Sequence, residues 1–347
     1  MEDEKLITFA VPCYNSAAYM RNCIDTLITA GEAAQVVVVN DGSSDDTGAI
    51  ADEYAAKYPS IVEVVHKENG GHGSGVNAGL DRARGLYFKV VDSDDRLDPE
   101  SLAKLLATVR EHIAKGTLPD MYLTNYVYEK PSASMRYPRR YSKNFPKDKI
   151  FGWEETKPFY FSNVLLMHSM VVRTQVLRDC GLRLPEHSFY VDNIFAYQPL
   201  PYIKTLFYLN ADLYRYYIGR VDQSVSRKNI IDRYKQQVGV TDIMIRCHRY
   251  ADLEKLTPRL KKYMKHDLNV LITLSVMFTT GGRGESVKER KATLKRMWSS
   301  IKEEDRAMYR FLRYRTYVAL INWMPYSWQR FFTTLGYYYF KNKLNCS

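Results

Sequence analysis

The chain has few cysteines and no long apolar run, and each shortage narrows its class. Its five cysteines, Cys13, Cys23, Cys180, Cys247 and Cys346, are scattered, odd in number and form no C-x-x-C pair. That excludes a disulfide framework and a zinc ribbon, and it suits a reducing compartment such as the cytoplasm. The longest uncharged stretch near the C-terminus, Thr316 to Gln329, spans 14 residues and is broken by Pro325. Crossing a bilayer takes roughly 20 apolar residues, so no transmembrane helix is expected. The first residues, Met1-Glu-Asp-Glu-Lys5, are acidic where a secretory signal is basic, so the protein is expected to stay where it is made. No repeat stands out at the periods of solenoids.

What is present is a 347-residue chain with 46% hydrophobic residues, enough for a large α/β domain and a smaller appendage. Its net charge of +11 is unevenly placed. Residues 1 to 120 hold 11 Lys and Arg against 20 Asp and Glu, a net −9, which leaves +20 for the rest. An acidic first third suits a divalent cation, and a basic remainder suits phosphate, anionic lipid or nucleic acid. A solvated basic surface is the plainer alternative.

Short β-branched runs alternate with helix-like stretches from the start. Leu6 to Val11, Ala34 to Val39, Ile61 to His66 and Leu86 to Val91 read as strands. Ala17 to Ala30, Asp46 to Tyr58, Ser74 to Arg84 and Pro99 to Ile113 read as helices, the last with Asp98 as N-cap and Pro99 at the first helical position. The alternation predicts a parallel sheet with crossover helices. Met121 to Tyr128 and Thr205 to Ile218 add strand-like material. Beyond about Asn229 the periodic stretches Ile231 to Leu253, Leu260 to Phe278 and Val287 to Tyr317 predict a helical subdomain. The expected division is 1–228 and 229–347.

Three strands end in polar loops, Pro12-Cys-Tyr-Asn15, Asn40 to Asp46 and Asp92-Ser-Asp-Asp95. In an open α/β sheet such loops surround one crevice. Asp92-Ser-Asp-Asp95 crowds three carboxylates into four positions after an apolar strand. Their repulsion calls for a cation, and oxygen ligation with room for phosphates is the habit of Mg²⁺ or Mn²⁺. Asp92 and Asp94 can divide the work between ribose and metal while Asp95 sets the turn. The plainer alternative, an Asp-rich turn before the helix at Pro99, needs only Asp98. Asp41, delivered to the sheet edge by Val36 to Val39 and followed by Gly42, can accept the imide N–H of a uracil ring. Asp45, Asp46 and Thr47 read as helix N-terminal residues. Asn69 to Gly79 is glycine-dense, and its Gly73-x-Gly75-x-x-Ala78 is a poor dinucleotide fingerprint because it follows the third strand.

In this order and spacing, Val11-Pro-Cys-Tyr-Asn15, Val39-Asn-Asp-Gly-Ser-Ser-Asp-Asp-Thr47, Asn69 to Gly79 and Asp92-Ser-Asp-Asp95 resemble the family-2 glycosyltransferases of GT-A fold. The resemblance is clear over residues 5 to 100 and looser to about Arg227. It implies an α/β fold with a mixed sheet flanked by helices, and residues 1–228 as the catalytic domain. It also implies inverting hexosyl transfer from a UDP-sugar with Mn²⁺ or Mg²⁺, to a saccharide or polyprenyl-linked acceptor, as in bacterial surface-polysaccharide synthesis. On these motifs Asp41 meets the base, Asp92 the ribose and Asp94 the metal, while Pro12, Tyr14, Asn15, Gly71, Asn77 and Ser93 line the donor. Leu184-Pro-Glu-His-Ser-Phe-Tyr-Val-Asp-Asn-Ile-Phe195 looks like the family's base element, with Asp192 as base, though many members have Glu-Asp where this chain has Val191-Asp192. One carboxylate must take the acceptor's proton in a direct displacement. Helix capping is the alternative for Asp192. Tyr214 to Ser226 resembles a loop that folds over the donor, offering Arg220, Gln223 and Ser224 to the diphosphate. His168 and His187 are acceptor candidates, although a single histidine is more often structural.

Between Arg306 and Lys343 many aromatic residues are punctuated by Arg and Lys. Such a segment suits the cytoplasmic face of a membrane, or a helix whose aromatic side packs inward. A nucleotidyltransferase would need a basic glycine-rich loop in the first βα turn, which Pro12-Cys-Tyr-Asn15 does not resemble. A non-catalytic protein binding nucleic acid or another anionic surface through the basic part would leave the acidic loops unexplained, so no nucleic-acid partner is expected.

Overall fold

The computed structural model describes residues 5–130, 132, 134–159, 164–218, 233–281 and 287–344. The chain divides into two compact units, Met1–Pro158 with Leu165–Arg220, and Phe159–Val164 with Val221–Ser347.

The first unit is built on a mixed sheet. Four strands, β1 (Ile7–Cys13), β2 (Ala34–Asp41), β3 (Val62–Lys67) and β4 (Tyr87–Val90), pair in parallel in the order β3-β2-β1-β4. Between them run α1 (Met20–Leu27), α2 (Thr47–Lys57) and α3 (His72–Arg82). Val36 to Val39 are wholly buried, as expected of a parallel strand covered on both faces. Each such side chain stabilises the fold by about 1.5–3 kcal/mol relative to exposure.

The sheet continues through β5 (Arg96–Leu97), β6 (Met121–Lys130), β7 (Met135–Arg139), β8 (Ile150–Phe151), β9 (Met170–Arg173) and β10 (Leu206–Tyr217). Strand β9 lies antiparallel between β4 and β6, and β10 is parallel to β6. Parallel neighbours need a crossover helix. Between β6 and β9 the described residues hold the short strands β7 and β8 and short 3₁₀ turns but no α-helix, and β9 runs antiparallel to β6. Helix α4 (Pro99–Ala114) starts where the sequence places it: the Asp98 carboxylate accepts the Ser101 N–H at 3.0 Å, and Leu102, Leu105, Leu106 and Val109 form the buried stripe. Two short helices, α5 (Thr174–Asp179) and α6 (Asp192–Tyr197), complete the unit.

Helix α3 begins at His72, two residues before the expected Ser74, and carries Gly73, Gly75 and Gly79 inside it. Close packing offsets their poor helix propensity. The Cα of Gly75 faces Pro12 and that of Gly79 faces Ala10, where an added Cβ would sit 2.9 and 2.5 Å from the side chain of each neighbour.

The second unit is helical: α7 (Tyr234–Cys247), α8 (Tyr250–Lys255), α9 (Pro258–Gly281), α10 (Val287–Glu304), α11 (Arg306–Tyr314) and α12 (Tyr326–Leu344). Two stretches read as continuous are each divided. Residues 248 and 249 separate α7 from α8, and Asp305 separates α10 from α11 by capping the Ala307 and Met308 N–H groups, both at 2.9 Å. Local capping overrides the helical period there. No helix among the described residues is long and apolar enough to cross a membrane.

Candidate active site

Because β2, β1 and β4 are parallel neighbours, their carboxyl ends bring the three polar loops together, and hydrogen bonds weld them. The Asn15 N–H donates to Ser43 Oγ at 3.0 Å, and Ser44 N–H donates to Asn15 Oδ1 at 2.9 Å. Ser16 N–H donates to Thr47 Oγ1 at 2.7 Å, while Ser16 Oγ and Ser93 Oγ lie 2.8 Å apart. Asp45 accepts from the N–H groups of Ala17 and Thr47 at 3.1 and 3.0 Å, so it joins the first turn of α2 to the β1 loop. Of the expected donor residues here, Pro12 and Ser93 are buried in this weld, whereas Tyr14 is 54% exposed at its rim.

The Asp41 carboxylate is buried and holds the next loop. It accepts from Lys67 Nζ at 2.8 Å and from the N–H groups of Gly70 and Gly71 at 2.9 and 2.7 Å. Gly71 sits at φ +82°, and an added Cβ would lie 3.1 Å from the backbone of His187. Its N–H is therefore spent on Asp41, and its open face is covered by protein. Gly73 is similar, with Pro185 O 2.5 Å from a Cβ position. Asn77, expected at the donor, spends its amide on Leu184, donating to the carbonyl and accepting the N–H, both at 2.9 Å. Gly71 and Gly73 thus admit the 184–187 backbone. That backbone is further tied by His187 N–H to Gly70 O at 2.6 Å and Ser74 Oγ to Glu186 at 3.1 Å.

This anchored segment leads into Asp192, the first residue of α6. Two of its non-glycine residues, His187 (φ 47°) and Tyr190 (φ 63°), adopt left-handed backbone conformations, which store about 1–3 kcal/mol each and persist only where surroundings impose them. Burial pushes the Asp192 carboxyl above the ordinary aspartate range, although the nearby charge of His72 works against that.

His72, not singled out from the sequence, is paired with Asp92 at 2.8 Å. Its only signal was its place in the glycine-dense loop. Burial alone would raise the Asp92 carboxyl, but the imidazole of His72 holds it below the ordinary range. Burial likewise opposes the charge on His72, yet Asp92 raises the imidazole above its usual value. Asp95 is buried behind them. It accepts from Tyr214 Oη at 2.6 Å and from the Tyr217 N–H at 2.7 Å, while its own N–H closes a turn onto Asp92 O at 2.9 Å. Burial, then the charges of Asp94 and Asp92, pushes its carboxyl well above the ordinary range.

Asp92, Asp95 and His168 each offer a ligand atom within 4.8 Å of the others. Asp94, the expected metal residue, is not in this group. It is half-buried and lines a cavity of about 390 Å³ with Tyr19, Asn22, Arg96, Glu129 and Arg215. A cluster in which the charges of Asp94 and Asp92 raise the Asp95 carboxyl, beside a buried imidazole whose Nδ1 has no hydrogen-bond partner among the described residues, has the chemistry to hold a divalent cation. Burial lowers His168 to about 4 and the wholly buried Lys89 to about 7. Arg220, Gln223 and Ser224 lie outside the described residues.

A sheet with helices on its faces and an aspartate cluster at the carboxyl end of a central strand defines the GT-A class of sugar transferases. Residues 8–174, nearly half of the chain, match the model of glycosyl transferase family 2. It is 27% identical over 274 residues to the putative glycosyltransferase EpsH of Bacillus subtilis, covering 77% of this chain and 74% of EpsH. It is 30% identical over 224 residues to the glycosyltransferase GlyA of Streptococcus pneumoniae, covering 63% of this chain but 31% of GlyA. Among solved structures, TarS 1–349 of S. aureus superimposes with a TM-score of 0.61 at 19% identity, covering 88% of this chain and 83% of that TarS 1–349 chain. The TarS complex with UDP-GlcNAc gives 0.54 at 18% identity, covering 90% and 93%.

Proposed function

We propose that this glycosyltransferase moves a hexose from a UDP-sugar, with inversion, to a hydroxyl of a saccharide or lipid-linked acceptor. The support for the reading is placement: the segment leading to Asp192 is tied to the glycine-dense loop by His187 N–H to Gly70 O and by Asn77 to Leu184, and the half-buried Asp192 carboxyl stands close enough to His72 and Asp92 to be shifted by their charges. In this reading Asp41 and the exposed Tyr14 receive the base, and Asp92 receives the ribose. Asn77, Gly71 and Gly73 act through the backbone they hold. Asp192 accepts the acceptor hydroxyl's proton as that oxygen bonds to the anomeric carbon and the opposite bond to UDP breaks. A divalent cation bound at Asp94 and its neighbours would neutralise charge on the departing diphosphate. The solved TarS complex with UDP-GlcNAc supports the choice of donor.

The test is UDP release from UDP-glucose, UDP-galactose and their N-acetyl forms, with and without Mn²⁺ or Mg²⁺. Asp94→Ala is expected to lower metal-dependent turnover about 10²–10³-fold, and Asp192→Asn to lower transfer about 10²–10⁴-fold. Wild-type transfer by Asp192→Asn would move the base elsewhere.

In the second unit Leu320, Trp323, Trp328 and Phe331 are 77%, 73%, 56% and 55% exposed. Exposed aromatics among Arg and Lys suit peripheral contact with an anionic cytoplasmic leaflet, which would bring a polyprenyl-linked acceptor within reach. Sedimentation with anionic vesicles is expected for the wild type and weakened in a Trp323→Ala, Trp328→Ala double variant.

A further inference from the structure

We propose that His168 is a ligand of the divalent cation, joining Asp92 and Asp95 in a mixed nitrogen and oxygen set. The proposal rests on the metal-assisted reading above and extends the ion's ligands from Asp94 to Asp92 and Asp95, with Asp92 turned to the cation rather than the ribose. Strand register is its first support. Strands β4 and β9 pair antiparallel with Tyr87 opposite Arg173 and Phe88 opposite Val172. That pairing brings the start of β9, and the 3₁₀ turn Met167–Ser169 before it, to the carboxyl end of β4, near Asp92 and Asp95. The backbone there is locked, because Lys89 Nζ donates to the carbonyls of His168 at 2.6 Å and Met170 at 3.3 Å.

The second support is an unmet bond. His168 is 5% exposed, and its Nδ1 is buried without a hydrogen-bond partner among the described residues. A buried polar atom left unpaired costs about 1–3 kcal/mol, so its persistence calls for a partner that the described protein atoms do not supply. The ring is held by aromatic neighbours, with centroids 4.6 Å from Tyr214, 5.0 Å from Tyr216 and 6.2 Å from Tyr126. The ligand atoms of Asp92, Asp95 and His168 lie within 4.8 Å of one another. An imidazole in an oxygen set favours Mn²⁺ over Mg²⁺, which takes oxygen ligands and keeps its waters.

The experiment is electron spin-echo spectroscopy of the full chain with Mn²⁺ and UDP. The expected spectrum shows ¹⁴N modulation that changes to the ¹⁵N pattern on selective ¹⁵N-histidine labelling. It persists in His72→Gln and His187→Gln and vanishes in His168→Gln, whose Mn²⁺ affinity falls at least ~10-fold while Mg²⁺ affinity changes less. Circular dichroism checks that His168→Gln is folded. Should it not fold, single His→Gln variants of the other six histidines decide the source of the nitrogen by whether each keeps the modulation. Bound Mn²⁺ with no ¹⁴N modulation, or modulation lost in His72→Gln and kept in His168→Gln, overturns the His168 assignment alone. Failure of Mn²⁺ to bind in the presence of UDP overturns both this ligand and the metal-assisted reading.

Discussion

Replacing Gly73 by alanine sets two effects of opposite sign against each other. Gly73 lies inside α3, where alanine in place of glycine gains about 0.5–1 kcal/mol of helix stability. The added Cβ, however, would lie 2.5 Å from Pro185 O and 3.0 Å from Leu184 Cβ, where ordinary contacts begin at 3.4 Å. Neither neighbour can retreat freely, since Asn77 clamps the Leu184 backbone through two 2.9 Å bonds and His187 is tied to Gly70. Overpacking of this kind costs about 1–3 kcal/mol, so the clash wins and the net loss is about 0.5–2 kcal/mol. The segment that must yield leads to Asp192, and a displacement of about 1 Å at a reacting group costs on the order of 100-fold in rate. Gly73→Ala is therefore expected to lower kcat for UDP-sugar turnover about 10- to 100-fold, with UDP binding retained. Gly79→Ala is the control: its Cβ meets Ala10 at 2.5 Å in the core, away from the Asp192 segment, so it should lose stability and keep its rate. Thermal unfolding and initial-rate assays separate the two. Equal rate losses in both variants, or a Gly73→Ala protein with wild-type rate and stability, would refute the reasoning.

The raised Asp192 carboxyl gives the rate a pH signature. A base must be ionised, so kcat/KM should fall as pH drops through a value above the ordinary 3.8, and a limb at or below 3.8 would count against Asp192. Asp41→Asn removes the charge facing Lys67 and one acceptor for Gly70 or Gly71, and about 1–3 kcal/mol of stability should go with it in thermal unfolding. In the second unit, burial raises Asp267 to about 7 from 3.8. The folded state then holds this proton more tightly than the unfolded state, so stability declines between those two pH values, by at most about 1.4 kcal/mol per unit. Asp267→Asn should abolish that slope and unfold later than wild type at pH 8. An unchanged pH profile would disprove the linkage.

Local signals carried much of the fold. The period-two and helical patterns, the Asp98 cap and the polar strand ends are written within a few residues each, so β1 to β4 with α2 and α4 could be read directly. The convergence of the 12–17, 41–47 and 92–95 loops followed, because parallel strands must present their carboxyl ends together. Helix ends were less legible where a cap competed with a continuing period, as at Asp305. Only the tertiary structure decided what the glycine-dense loop is for: Gly71 and Gly73 face the 184–187 backbone, over a hundred residues away in sequence, and Asn77 holds Leu184 there. The same is true of His72 beside Asp92, and of His168, brought near it where β9 pairs antiparallel with β4. Composition and spacing report what a segment prefers by itself. Which backbone leaves no room for a Cβ, and which buried nitrogen lacks a partner, are set by contacts between distant segments that exist only once the sheet has closed.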